Sequence, residues 1–502
     1  MTQDILRRTF IAGAAGLAAT WSRAAVSVDE NEPYLRIAGL TVFRGDQLNS
    51  KSELEVMMGW SVFSTPPAGE GNSAEIQFST NKPINNASFR ITVGVRDRKN
   101  KQLELLLAKS KTVIAKFEIR NPALFQPIDA PIADEYLAAV IKEGVVLRQS
   151  VGDVPLWFVS DPASEFGRAP AFMPHLFVPL EETDRLEQFL QRMASYESLN
   201  EFCWRSGAVM DGLWMLARFS KQKRFQKAIN DQLDVYFERL IWPEGKTAPD
   251  VPGMENTLTW STLAHVRPDH RSIDFAIKKW FEKRRPDGVM SDGSNIVTET
   301  NYTVAYPLAV IGRQRNDEDL VDEALNQIRY HIRELVHDGS LYLRRKQSGE
   351  YYFQNWCRGI CWYYIGMVRT LEASGRKSGV DDIIEEIQRC ADWIVQYQRD
   401  DGLWHTFVHD ATTPADTSGT SGIAAAIAAA VRCGWVDDKY LSASRLALQG
   451  LKRKLTLDGW LTGVAPGNVG GEALQRNPYR ATQQMGMGLM GSLVAELWDE
   501  RG

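Results

Sequence analysis

Five stretches of this sequence carry carboxylates, arginines and tryptophans that core packing alone would not choose. They hold Glu201, Trp204 and Arg205; Asp292, Glu299 and Asn301; Asn355, Trp356 and Arg358; Trp404, His405, His409 and Asp416; and Asn468, Glu472 and Arg480. Together these residue types suit chemistry on sugars. A carboxylic acid can protonate a glycosidic oxygen or an activated carbon, and a second carboxylate can activate water or attack directly. Arginine grips a sugar carboxylate with two parallel hydrogen bonds, and tryptophan covers the apolar face of a sugar ring. Glu299, Asp416 and Asp292 are the catalytic candidates. Each has a plainer alternative. Glu299 and Asp416 stand just before helical stretches, where carboxylates cap helices, and Asp292 lies in a Ser-Asp-Gly turn. His405 could simply bond a neighbouring loop. Arg358 is different: a cation opening an apolar helix opposes the helix dipole, which points to binding rather than structure.

The elements that must position these residues fall into two classes. From Tyr34 to Ile119 apolar and polar residues alternate with period two, broken by turns such as GEGN and NKPINN. Such short runs at short spacing predict an antiparallel β-sandwich domain over 33–120. Proline-rich 121–136 reads as a linker, so 121–183 is expected to be a linker with a leading helix. Beyond residue 184 the period becomes 3.6, and twelve helical stretches follow. Those near 207, 300, 357, 420 and 483 are apolar almost all round; those near 223, 318, 380 and 438 are amphipathic. A helix apolar on every side is buried, and an amphipathic one faces water. Asp-Gly turns recur at Asp287-Gly288, Asp338-Gly339, Asp401-Gly402 and Asp458-Gly459. This hairpin repeat predicts a mainly α fold, an (α/α)6 toroid over 184–502. The long loops all lead into inner helices, so they should meet at one mouth.

Composition narrows the function. Lys and Arg total 58 against 63 Asp and Glu, a net charge of −5 without a polybasic block, which argues against nucleic acid. Five scattered cysteines make neither a disulfide framework nor a zinc motif. Dinucleotide, P-loop, HExxH and GxSxG motifs are absent, so no cofactor or metal is expected. Residues 1–25 contain Arg7-Arg8, a short apolar run and Ser22-Arg23-Ala24, the layout of a twin-arginine export signal. A periplasmic or secreted protein without a membrane span is expected.

Three stretches of the helical body resemble the unsaturated glucuronyl and rhamnogalacturonyl hydrolases, glycoside hydrolase families 88 and 105, and related β-glucuronidases on the (α/α)6 barrel. Residues 355–362, NWCRGICW, are similar to the family's W-x-RGNGW segment, with Ile360 and Cys361 replacing its central Asn and Gly. Residues 401–422 resemble its DGLWHQ…ETSGTA run, with Asp416 where Glu is common, and LTGVAPGNVGG resembles its C-terminal glycine-rich loop. The resemblance implies an exo-acting glycosidase removing a terminal uronic acid from an oligosaccharide. It assigns uronate contact to Arg358 and Trp362; Trp404, Trp204, Trp356, Arg205, Asn301 and His405 complete the binding set. One departure is important. The family's proton-donating aspartate lies seven residues before a proline, where TNYTVAYP has Thr300. Glu299 stands beside it and is the candidate donor, for hydration of an unsaturated uronate or, with Asp292 or Asp416, hydrolysis of a saturated one. A polysaccharide lyase with His405 or Tyr302 as base, and a non-catalytic glycan-binding protein, are the alternatives.

Overall fold

The computed structural model describes residues 34–42, 58–180, 182–242, 253–291, 293 and 295–500. The proposed export signal and Asp292 lie outside the described residues. Pro33–Gly502 is one compact unit.

The front half contributes strands β1 (Tyr34–Val42), β2 (Ser61–Thr65), β3 (Glu75–Phe78), β4 (Ser88–Thr92), β5 (Lys101–Leu107), β6 (Val113–Ile119) and β7 (Pro127–Pro131). Helix α1 (Asp134–Glu143) comes next, then β8 (Val145–Val151), β9 (Leu156–Asp161), the short β10 (Ala163–Ser164) and β11 (Gly167–Arg168), and β12 (His175–Pro179). Eight of these form one sheet in the order β6-β5-β8-β3-β1-β12-β4-β7, and β2 pairs separately with β9. Every pairing in them is antiparallel. The expectation of a linker over 121–183 is therefore corrected: β7, β8 and β12 from that segment belong to the main sheet. Pro127 and Pro131 misled because proline cannot donate to a ladder, yet β7 is an edge strand, where that loss is tolerated.

The helical body has α2 (Arg185–Met193), α3 (Trp204–Ser220), α4 (Lys223–Leu233), α5 (Thr259–Val266), α6 (Ser272–Glu282), α7 (Tyr306–Arg315), α8 (Glu318–Leu335), α9 (Cys357–Ser374), α10 (Asp381–Ile394), α11 (Thr417–Arg432), α12 (Leu441–Lys452), α13 (Gly471–Arg476) and α14 (Gln484–Glu496). Each of the twelve expected stretches overlaps one of these helices; the short α13 was not foreseen. Helices α3, α5, α7, α9, α11 and α14 each pack on the next, and α14 returns to α3, closing a ring of six. Glycine makes the tightest of these contacts. A Cβ on Gly212 would fall 2.1 Å from Gly488 O, and one on Gly488 would fall 2.4 Å from Ala208 O, so α3 and α14 approach with nothing between them. Gly419 and Gly422 of α11 similarly face the Cys357 and Cys361 thiols of α9, which gives those cysteines a packing role. The Asp-Gly turns work because Gly288, Gly339, Gly402 and Gly459 all adopt positive φ. In the mouth, β13 (Ile296–Val297), β14 (Val336–His337), β15 (Ser340–Arg345) and β16 (Tyr351–Gln354) form a small sheet before α9.

The main sheet has its own core, but residues flanking its strands reach into the core of the ring. Trp60, Phe125 and Phe172 belong to the same buried cluster as the inner helices, and Phe172 stacks on Trp460 at 6.0 Å. A buried ion cluster fastens the same seam. Arg90 of β4 pairs with Asp129 and Asp458, while Arg192 of α2 donates to Asp458 Oδ2 at 3.0 Å and pairs with Glu197. Burial alone would raise the Asp458 carboxyl, but Arg90 and Arg192 hold it far below the ordinary carboxylate range. Among the described residues no helix is long and apolar enough to cross a membrane.

Candidate active site

Arg358 occupies the first turn of α9 and is 1% exposed. Its Nη1 donates to Ala465 O at 2.7 Å and Ser418 Oγ at 3.2 Å, and its Nη2 to Pro466 O at 2.6 Å. The Trp356 ring lies 4.5 Å beneath the guanidinium. Burial and the nearby Arg205 pull the Arg358 pKa down, with Asp416 opposing them. A guanidinium has five N–H groups, and three are used here. Nε, buried with no hydrogen-bond partner, and one Nη2 hydrogen remain for a planar acceptor.

Asp416 is the N-cap of α11 rather than an open catalytic group. Its Oδ1 accepts from Ser418 N at 3.0 Å, Ser418 Oγ at 2.6 Å and Ala465 N at 3.1 Å, while Oδ2 lies 3.8 Å from Arg358. It is fully buried and acts as the counter-charge that holds Arg358 and the glycine-rich loop in register.

Glu299 sits between β13 and α7, 9% exposed. Its carboxyl is pushed up to about 7, first by burial and then by the negative Glu255, against the pull of Arg344 and Arg358. Glu255 comes from the turn Met254–Asn256 that leads into α5, and Arg344 from β15. Both escaped the sequence reading. Glu255 lies at the edge of a stretch whose periodicity is helical, and precedes the inner helix α5 much as Glu299 precedes α7. Thr300, at the position of the family aspartate, is engaged elsewhere: its Oγ1 donates to Val297 O at 2.8 Å and lies 2.5 Å from His331 Nε2 on α8.

An aromatic column runs from this site into the ring. Trp204 meets Trp362 edge-on at 5.7 Å, Trp362 stacks on Tyr302 at 6.0 Å, and Tyr302 stacks on Tyr306 at 5.9 Å. Both tyrosine hydroxyls donate to the fully buried Asp211 of α3, Tyr306 at 3.0 Å. Burial and Asp211 push the Tyr302 phenol well up, so it is a donor here and unsuited to act as a base. Arg205 lies 4.3 Å over Trp204 and donates to Glu201 at 2.9 Å.

Four expected binding residues are placed differently. Trp404 is fully buried, with its indole N–H donating to Ile394 O at 2.9 Å, so it is core and not a sugar platform. Trp356 donates to Gln475 at 3.2 Å and serves as the floor under Arg358. Asn301 is fully buried against Gly366 of α9 and donates to Tyr363 O at 3.4 Å. His405 Nδ1 is 2.5 Å from Thr413 O and 3.3 Å from Arg399, bonded within its own loop. Arg480 is likewise occupied, clamping Ala415 O and Thr406. Among the described residues no group of three or more His, Cys, Asp or Glu could hold a metal ion.

The elements of the site are thus a buried carboxyl raised to about 7 under the influence of Glu255 and Arg358, a guanidinium with two N–H groups unused, and two tryptophans in edge contact. Comparison with known proteins gives the family and the fold. The model of Glycosyl Hydrolase Family 88 matches residues 182–498. No curated protein matches in sequence. Among solved structures, a possible member of the GH105 family from Salmonella enterica serovar Paratyphi A superposes with a TM-score of 0.54 at 20% identity, over 62% of this chain and 85% of its own. A family 105 glycoside hydrolase from C. acetobutylicum gives 0.55 at 16% identity, over 63% and 98%. A family 88 glycosyl hydrolase from Bacteroides vulgatus gives 0.50 at 16% identity, over 62% and 96%. These likenesses establish a shared fold, and the family match covers more than half the sequence: the chain is a glycoside hydrolase and belongs to Glycosyl Hydrolase Family 88.

Proposed function

We propose that this glycoside hydrolase is exo-acting and removes a terminal uronic acid from an oligosaccharide, with Glu299 as the proton donor. The observation that carries the reading is the buried Glu299 carboxyl, which feels the charges of Glu255 and Arg358. Two carboxyl groups that cannot both ionise cheaply divide the roles of acid and base, and Glu299 is the one raised to about 7. In its protonated form Glu299 donates to the glycosidic oxygen or to the ring C=C bond. Glu255, ionised, activates the water that completes the addition or displacement. The two spare N–H groups of Arg358 take the uronate carboxylate, and Trp362 and Trp204 cover the sugar faces. Before catalysis the chain would be exported by the twin-arginine route. The strand-rich front would be a sandwich, since Phe63 and Phe158 of the β2–β9 pair join the core beneath the main sheet.

Incubation with matched unsaturated and saturated glucuronyl disaccharides tests this. A hydrolase of unsaturated uronates consumes the ultraviolet absorbance of the conjugated C=C–COO⁻ group as sugar is released. A saturated-substrate enzyme releases sugar with no change in absorbance. A gain in absorbance from polymer would make the protein a lyase and remove the proposal.

A further inference from the structure

The aromatic column inside the ring ends on a carboxylate whose burial needs an account. Asp211 of α3 is fully buried and accepts from the phenols of Tyr302 and Tyr306, while Arg369 Nε of α9 stands 3.6 Å from its Oδ2. Arg369 is 2% exposed and donates from Nη1 to Glu496 at 2.8 Å. In the order of the ring α9 lies opposite α3, so this pairing crosses the axis. Charges so deep are expensive, and apolar side chains of the same volume would stabilise the ring at least as well. What the cluster adds is direction, because a hydrogen bond fixes where a ring points more narrowly than apolar contact does. Trp362 is where direction is needed. Trp60, Trp260, Trp280, Trp356 and Trp404 each donate the indole N–H to a protein acceptor. Trp362 is instead held by rings, Trp204 edge-on at 5.7 Å and Tyr302 stacked at 6.0 Å with 20° between the planes. It is 4% exposed, so a sugar meets only a strip of it, and a tilt of Tyr302 would move that strip. Tyr302 itself lies in a π-helical turn, Asn301–Ala305, in which Tyr306 N bonds back to Asn301 O, a wide geometry frequent at functional sites. Apolar packing confines its ring, and the bond to Asp211 sets the tilt.

We infer that Asp211 is a positioning residue for the sugar platform: through the Tyr302 hydroxyl it fixes the plane of Trp362. This rests on the reading that Trp362 covers the uronate ring. Arg369 supplies the counter-charge that keeps Asp211 an acceptor for both phenols. Tyr306 shares the carboxylate, but its ring partners are Tyr302 and His265, which makes it the comparison residue.

The test is a double-variant cycle on the full chain, with whichever matched glucuronyl disaccharide the wild type turns over better. Tyr302→Phe keeps the ring and loses only the hydroxyl. It should raise KM about tenfold with kcat within about threefold, since a sugar platform binds ground state and transition state alike. Asp211→Asn keeps the size of the side chain, weakens one of the two bonds, and should shift KM in the same direction; it replaces Tyr302→Phe in the cycle if that variant does not fold. Tyr306→Phe should move KM far less, although its melting temperature should fall as much. Trp362→Leu leaves no ring plane to orient, so adding Tyr302→Phe to it should cost nothing more in kcat/KM. Losses that multiply in the double variant, or a Tyr302→Phe that lowers melting temperature or kcat with KM unmoved, make the cluster structural and overturn the inference. If the wild type turns over neither disaccharide, the hydrolase reading fails instead. The same cycle on the calorimetric Kd of the saturated disaccharide then decides the positioning role alone: coupled losses uphold it, and independent losses or no binding end it.

Discussion

A carboxyl group with its midpoint near 7 can give up a proton at the pH where most carboxylates have none left to give. Glu299 reaches that state because it is buried and faces Glu255. The rate of the chemical step should then fall as pH rises through about 7, and Glu299→Gln should cost about 10²-fold or more in kcat; a pH profile of kcat for both proteins checks this. Glu255→Gln should move the alkaline limb to lower pH, because removing the neighbouring negative charge lets Glu299 ionise earlier. The sign for stability follows from the same shift. A carboxyl raised in the folded state contributes fully below its unfolded midpoint near 4.5, and that contribution disappears as pH rises through about 7. The melting temperature of Glu299→Gln relative to wild type should accordingly improve between pH 5 and pH 8. Residue types pointed to a carboxylate-and-guanidinium site; Glu299 feels the charge of Arg358, and Trp204 meets Trp362. Residue types could not show which indoles find a protein acceptor, and that alone sends Trp404 into the core through Ile394 O.

At the scale of elements, periodicity was the strongest guide. Helix α11 is buried from Thr417 to Val431, as its all-round apolar sequence requires. Strands β8 and β9 were missed because they follow a proline-rich segment whose β7 lies at a sheet edge. The pairing of α3 with α14 depends on two glycines, so Gly488→Val should destabilise the protein by about 1–3 kcal/mol or more, by forcing backbone apart against Ala208 O. Chemical denaturation should show a lower midpoint at an unchanged slope. The small β13–β16 sheet was not legible either, since the partners of β15 are only two to four residues long, yet β15 carries Arg344, whose charge reaches Glu299.

For the whole molecule, the buried Arg90–Asp458 pair ties the sheet to the ring. Breaking a buried pair by removing one partner leaves a charge uncompensated, so Asp458→Asn should cost about 3–5 kcal/mol; calorimetry measures the loss. The aromatic seam has a further bearing on how this protein can be cut. Trp60, Phe125 and Phe172 precede the family-matching region yet lie in the same cluster as α3 and α14. A fragment trimmed to the conserved hydrolase segment would bare those rings' partners to water and should aggregate, and the intact chain should melt in a single transition. The family match starts near residue 182, but the aromatic residues packed into the ring's core start more than a hundred residues earlier, with Trp60.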